Sequence, residues 1–117
     1  MLYEIARWRI PKENSKKHLE CWREILADQK AHSEKFHYTR TRIVQFAEAE
    51  ASSSEETWGW IDEYEGREAY DKMTKELEED PEVVKLKNQY HSKWDPLRVP
   101  GSFKAELWTE KLKSDLK

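Results

Sequence analysis

Apolar and polar residues alternate over 2–10 and predict an opening strand, which Pro11, having no N–H to donate, is expected to end. The period then lengthens. Asn14 or Ser15 can accept hydrogen bonds from the first free N–H groups of a helix, and Leu19, Trp22, Ile25, Leu26, Gln29 and Phe36 follow at helical spacing to about residue 35. From His37 the period returns to two. Tyr38, Arg40, Arg42, Val44 and Phe46 alternate with Thr39, Thr41, Ile43, Gln45 and Ala47, which predicts a second strand. Residues 48–56, with their Ser52-Ser53-Ser54 run, carry neither pattern and read as a loop between antiparallel strands.

The next strand, over 58–64, is unusual. It places Trp58, Trp60, Asp62 and Tyr64 on one face and Gly59, Ile61 and Glu63 on the other, so each face carries a carboxylate. Large aromatics mixed with an acid on one side predict the wall of a pocket rather than ordinary surface. Beyond Gly66, Ala69, Tyr70, Met73 and Leu77 mark a helix over 67–79. Asp80-Pro81 then supplies an N-cap acceptor and a proline suited to the first helical position, starting a further helix over 81–94. Asp95-Pro96 closes it. Alternation over 102–111 predicts a fourth strand, and 112–117 is expected to be a frayed tail.

Strand, helix, strand, strand, helix, strand is the order of an α+β, ferredoxin-like βαββαβ domain with an antiparallel sheet, here expected over 1–111. Both helical segments would cover one sheet face. The other would be bare, carrying Tyr3, Ile5, Ile61 and, depending on register, members of Arg40, Arg42, Val44 and Phe46. Such a mixed apolar surface predicts a two-fold homodimer formed by two open faces.

Composition narrows the function classes. A chain of 117 residues suffices for one core, and six Trp, five Tyr and three Phe supply its bulk. Net charge is −3 with both signs interspersed, so there is no basic field to gather nucleic acid. Cys21 is the sole cysteine, which excludes an internal disulfide and fits a reducing cytoplasm. The charged start and the lack of any long apolar run predict neither a signal peptide nor a membrane span, so a cytoplasmic protein is expected. Three glycines leave little material for a phosphate loop, and no nucleotide cofactor is expected.

Several segments carry a resemblance. Met1-Leu2-Tyr3-Glu4-Ile5, Tyr64-Glu65-Gly66-Arg67-Glu68-Ala69-Tyr70 and Leu77-Glu78-Glu79-Asp80-Pro81-Glu82 are similar to the NIPSNAP family. More broadly the chain resembles the dimeric α+β barrel proteins, which include antibiotic-biosynthesis monooxygenase-like and haem-degrading members. The resemblance implies a homodimer whose sheets close into a barrel, with a pocket in each subunit between sheet and helices. It also implies a test for haem chemistry, since haem-degrading members carry an Asn on the first strand, a Trp ending the third and a His on the last helix. Ala6, Tyr64 and Asn88 stand in those places. Haem degradation is thereby disfavoured.

If the pocket faces the helices, as the resemblance implies, Glu4, Ala6 and Trp8 join Trp58, Trp60, Asp62 and Tyr64 there. Glu4 and Asp62 would then be a perturbed carboxyl pair able to donate or accept a proton near neutral pH. The competing expectation is structural pairing with Arg7, Arg9, Arg40, Arg42 or Arg67. Trp8, Trp58, Trp60 and Tyr64 are the candidate ligand-binding rings, whereas Trp22, Tyr70, Tyr90 and Trp94 lie at helical spacing and read as core. His91, shortly before Trp94, is the remaining acid–base candidate, weighed against simple surface exposure. His18 and Cys21 lie three apart on one helix face, but nothing completes a ligand set, and no metal or other cofactor is expected. The function expected is binding of a small apolar or aromatic molecule. A cofactor-independent monooxygenase or isomerase of the same fold is the alternative, and a non-catalytic dimeric scaffold with its interior filled is a further one.

Overall fold

The computed structural model describes residues 1–47 and 54–117. Its elements run β1 (Leu2–Pro11), α1 (Ser15–Ala31), β2 (Arg40–Gln45), β3 (Glu55–Tyr64), α2 (Arg67–Glu79), α3 (Pro81–Trp94) and β4 (Lys104–Thr109), with short 3-10 turns at 12–14, 33–35 and 95–97. The four strands form one antiparallel sheet in the order β2-β3-β1-β4. This is the α+β, ferredoxin-like arrangement. The loop expected over 48–56 falls largely outside the described residues, which resume at Ser54, and its last two residues, Glu55 and Glu56, belong to β3 instead.

Register assigns the two sheet faces. Glu4 pairs with Asp62, Ala6 with Trp60 and Trp8 with Trp58, and these side chains share the face beneath the helices. On the opposite face Ile5 pairs with Ile61 and Tyr3 with Glu63, and Arg40, Arg42 and Val44 of β2 join them through partners Glu63, Ile61 and Gly59. Phe46 continues that open face: its ring lies over Gly59, where an added Cβ would stand 2.7 Å from Phe46 Cε2 and 2.1 Å from the Ala6 carbonyl oxygen. Only glycine fits there.

Two apolar clusters lie between sheet and helices. One joins Ala6, Trp8, Ile10, Cys21, Trp22, Ile25, Trp58 and Trp94, and the other Leu2, Tyr64, Met73 and Val83. Trp8 is the hub of the first, its ring centroid 4.7 Å from that of Trp94, 5.4 Å from Trp60 and 5.7 Å from Trp22.

The structure departs from the periodic reading in four places. The buried stripe of α1 is His18, Cys21, Trp22 and Ile25, while Leu19 is exposed. His18 takes the inward place because its Nε2 accepts a 2.9 Å hydrogen bond from the Trp8 indole N–H. Neither Asn14 nor Ser15 caps the helix; the Asn14 amide instead donates to the Leu97 carbonyl at 3.3 Å. The helix stops at Ala31 rather than near residue 35. β2 begins at Arg40, so the alternation counted from His37 does not carry Tyr38 to the open face with Arg40. Asp80, by contrast, caps α3 as expected: its Oδ1 accepts from the N–H groups of Glu82 at 2.9 Å and Val83 at 3.2 Å.

Candidate functional site

A cavity of about 150 Å³ lies between sheet and helices where the two apolar clusters meet. Trp22, Ile25 and Gln29 of α1 and Tyr90, His91 and Trp94 of α3 form one wall. Glu4, Trp60, Asp62 and Tyr64 form the floor, with Thr41 from the neighbouring strand. Phe36 and Tyr38 before β2, with Met73 and Leu77 of α2, close the far side. Tyr38 turns inward because its ring meets that of Tyr64 edge-on, centroids 5.7 Å apart. The rim carries exposed Thr74 and half-buried Lys87 and His91.

The carboxyls on the floor are held by neutral donors. Trp60 Nε1 donates to Glu4 Oε1 at 3.0 Å, and Thr41 Oγ1 donates to Asp62 Oδ1 at 2.5 Å. Burial pushes the Asp62 carboxyl up to about 7, against the Thr41 hydrogen bond and with the Glu4 charge adding to it. Burial likewise raises Glu4, opposed by the Trp60 N–H. The arginine pairing weighed from the sequence does not form. Arg9 bonds Glu55, Arg40 and Arg42 meet Glu63, Arg67 meets Asp71, and the Arg7 guanidinium lies 4.5 Å from the centre of the Phe46 ring. All of these lie on the open face or the outer surface. A carboxyl on the covered face is therefore beyond their reach.

Of the seven residues singled out in the sequence, Glu4, Trp60, Asp62, Tyr64 and His91 line the cavity, and Trp8 and Trp58 do not. Trp8 is fully buried among other rings. Trp58 packs edge-on against the His18 ring, centroids 4.7 Å apart, and donates to Glu56 Oε1 at 3.1 Å. Both are core residues in this arrangement. His91 is half-buried at the rim, its Nδ1 3.0 Å from Asp95 Oδ1. His18 is buried with its ring pKa lowered to about 4, by burial against a smaller opposing effect of Glu56. It and Cys21 share an inward face, yet among the described residues no three His, Cys, Asp or Glu side chains gather as metal ligands.

The sequence reading missed Trp22, Tyr90 and Trp94 as wall residues because helical spacing marks an inward face without separating packed rings from cavity rings. It missed Gln29, Tyr38 and Thr41 as well. The signal for Thr41 was its place opposite Asp62 in the β2–β3 register, which becomes visible only once strands are paired. The indole N–H groups of Trp22 and Trp94 and the side-chain carbonyl of Gln29 are buried without a hydrogen-bond partner. Such groups are costly to leave unmet.

No family model and no curated protein matches the sequence. Solved structures do match its fold. A NIPSNAP domain protein from Burkholderia xenovorans superposes with a TM-score of 0.63 at 13% identity, covering 98% of this chain and 99% of that one. A dimeric ferredoxin-like protein from an uncultured marine organism gives 0.61 at 15% identity, covering 100% and 99%. An antibiotic biosynthesis monooxygenase gives 0.57 at 14% identity, covering 96% and 100%. The chain thus has the fold of NIPSNAP and antibiotic-biosynthesis monooxygenase-like proteins, and the resemblance read from its segments holds at that level. No helix among the described residues is long and apolar enough to cross a membrane.

Proposed function

We propose that this protein binds a small, mainly apolar or aromatic molecule in the cavity between sheet and helices, as a homodimer joined through its open sheet faces. One observation carries the reading: the core is divided by a void bordered by Trp22, Trp60, Trp94 and four further aromatic rings, instead of being filled by the inward tryptophans. A scaffold with no ligand would gain from closing that void, since each unfilled volume forfeits packing contacts. An apolar cavity of roughly 150 Å³ accepts a single benzene-sized ring. The ligand is accordingly a one-ring compound or an aliphatic one of similar bulk. Support for self-association comes from the open face itself and from the dimeric ferredoxin-like protein that shares the fold.

Thermal unfolding against a panel of neutral, cationic and anionic one-ring compounds tests this, because a ligand of the native state raises the melting temperature. A rise of several degrees with at least one compound is expected. A flat response across the panel would favour the filled scaffold. A second reading, a cofactor-independent monooxygenase or isomerase, draws on Asp62, whose carboxyl is poised at about 7 beside Glu4, with His91 at the rim as the other proton carrier. Following the same compounds for conversion separates the two, since turnover would be lost in D62N or E4Q while binding persists.

A further inference from the structure

Charge on the cavity floor is one-sided. Glu4 and Asp62 face each other across the β1–β3 ladder, and every arginine that might have met them is engaged elsewhere. The two basic side chains of the wall, Lys87 and His91, lie on α3: the Lys87 ammonium donates to the Leu77 carbonyl at 2.7 Å, and the His91 ring meets Asp95. Neither forms an ion pair with the floor carboxyls. Glu4 and Asp62 each accept a hydrogen bond from one neutral donor, whereas an ionised carboxylate offers about four acceptor sites.

That arrangement discriminates among ligands. An anion would be repelled by the carboxyls in a poorly solvated space, and a purely apolar molecule would leave their remaining acceptor sites unmet. A cation satisfies them. Aromatic rings in the walls would add attraction for a cation lying over their faces, the negative ends of the ring quadrupoles.

We propose that the cavity selects a small primary ammonium compound bearing one apolar or aromatic group, with the ammonium between Glu4 and Asp62 and the apolar part among Trp22, Trp60 and Trp94. This rests on the pocket reading above and names its ligand class. An ammonium has three donors, enough to reach both carboxyls at once. Burial keeps part of a proton on Asp62 near pH 7 in the empty cavity, and a bound cation would displace it, so binding there releases protons to the buffer.

Calorimetric titration of the full chain at pH 7.5 with benzylamine, benzyl alcohol and benzoate tests the class. Benzylamine is expected to bind at least about tenfold more tightly than benzyl alcohol, with benzoate giving no heat. In D62N, and separately in E4Q, that preference should collapse to about threefold or less while benzyl alcohol still binds, which shows an intact cavity. Equal or tighter binding of benzyl alcohol or benzoate by the native protein, or an undiminished preference in both variants, overturns the ammonium assignment and leaves the pocket reading standing. Failure of all three probes, together with a flat thermal panel, brings down both.

Discussion

Asp62 is the residue whose environment departs furthest from its chemistry. It is 8% exposed, faces Glu4 and has no cation beside it, and its carboxyl is raised from 3.8 to about 7. Between those values the folded protein holds a proton that the unfolded chain has released. Its contribution to stability is therefore greatest below pH 4 and is lost as pH rises through 7. Asn at this position keeps an acceptor for the Thr41 hydroxyl and removes the charge. D62N should accordingly be more stable than the native protein by about 2–4 kcal/mol at pH 8, with the gap closing towards pH 4. Urea unfolding at the two pH values measures it; an equal difference at both would mean that Asp62 is not protonated by burial. His18 acts in the opposite sense. Lowered to about 4, it is neutral in the fold, so its contribution is present above pH 6.5 and is lost as pH falls towards 4. A carboxyl that costs the empty fold stability at pH 8 is what the proposed cation-binding role of Asp62 requires.

At the scale of elements, β3 carries most of the design. Its covered face holds Trp58, Trp60, Asp62 and Tyr64 as the alternation requires, and its open face carries Gly59 under the Phe46 ring. A Cβ at residue 59 would stand 2.1 Å from a backbone oxygen of β1, which cannot retreat without breaking the ladder. G59A should therefore cost about 1–3 kcal/mol or more, read as a lower urea midpoint with unchanged slope. A loss within a few tenths of a kcal/mol would mean that the strands part easily there. The elements themselves were legible where period and punctuation agreed. α2 and α3 have the bounds expected from Gly66, Asp80-Pro81 and Asp95-Pro96, since each boundary has a local backbone cause. α1 was less legible, because a histidine stands inward where the pattern offered Leu19, and a buried histidine is acceptable only when a distant Trp8 supplies its hydrogen bond. Tyr38 was misplaced for a related reason: alternation assigns a face only while the chain is extended, and β2 starts two residues later.

For the whole molecule the question is what covers the open sheet face. Tyr3, Ile5, Val44, Phe46 and Ile61 lie there, and Trp108, paired with Tyr3, is 53% exposed. Its charges are partly neutralised in place, with Arg42 Nη2 2.8 Å and Arg40 Nε 3.7 Å from Glu63. That lowers the cost of removing the face from water. The proposed two-fold dimer would bring two Ile61-centred patches together. Light scattering after size exclusion should give twice the chain mass for the native protein and a monomer for I61K, whose lysine would have to be buried unpaired. A native monomer, or an I61K dimer of native stability, would reject this interface.

From the sequence alone follow the element order, the ferredoxin-like class and the two faces of β3, with Trp60, Asp62 and Tyr64 on one of them; the β1–β3 register set Glu4 beside them. Those properties depend on local period, caps and breakers. The tertiary structure alone decided which tryptophans fill the core and which border a void. Trp8 and Trp58 share a face with Trp60, but they sit further along the sheet beneath His18, Trp22 and Trp94, and are packed around completely. Period assigns a side chain to a face; what stands above it on that face depends on how helices distant in sequence pack, and so on the fold as a whole. The same holds for the absent arginine partners of Glu4 and Asp62, which composition supplied in number and register placed on the wrong side of the sheet.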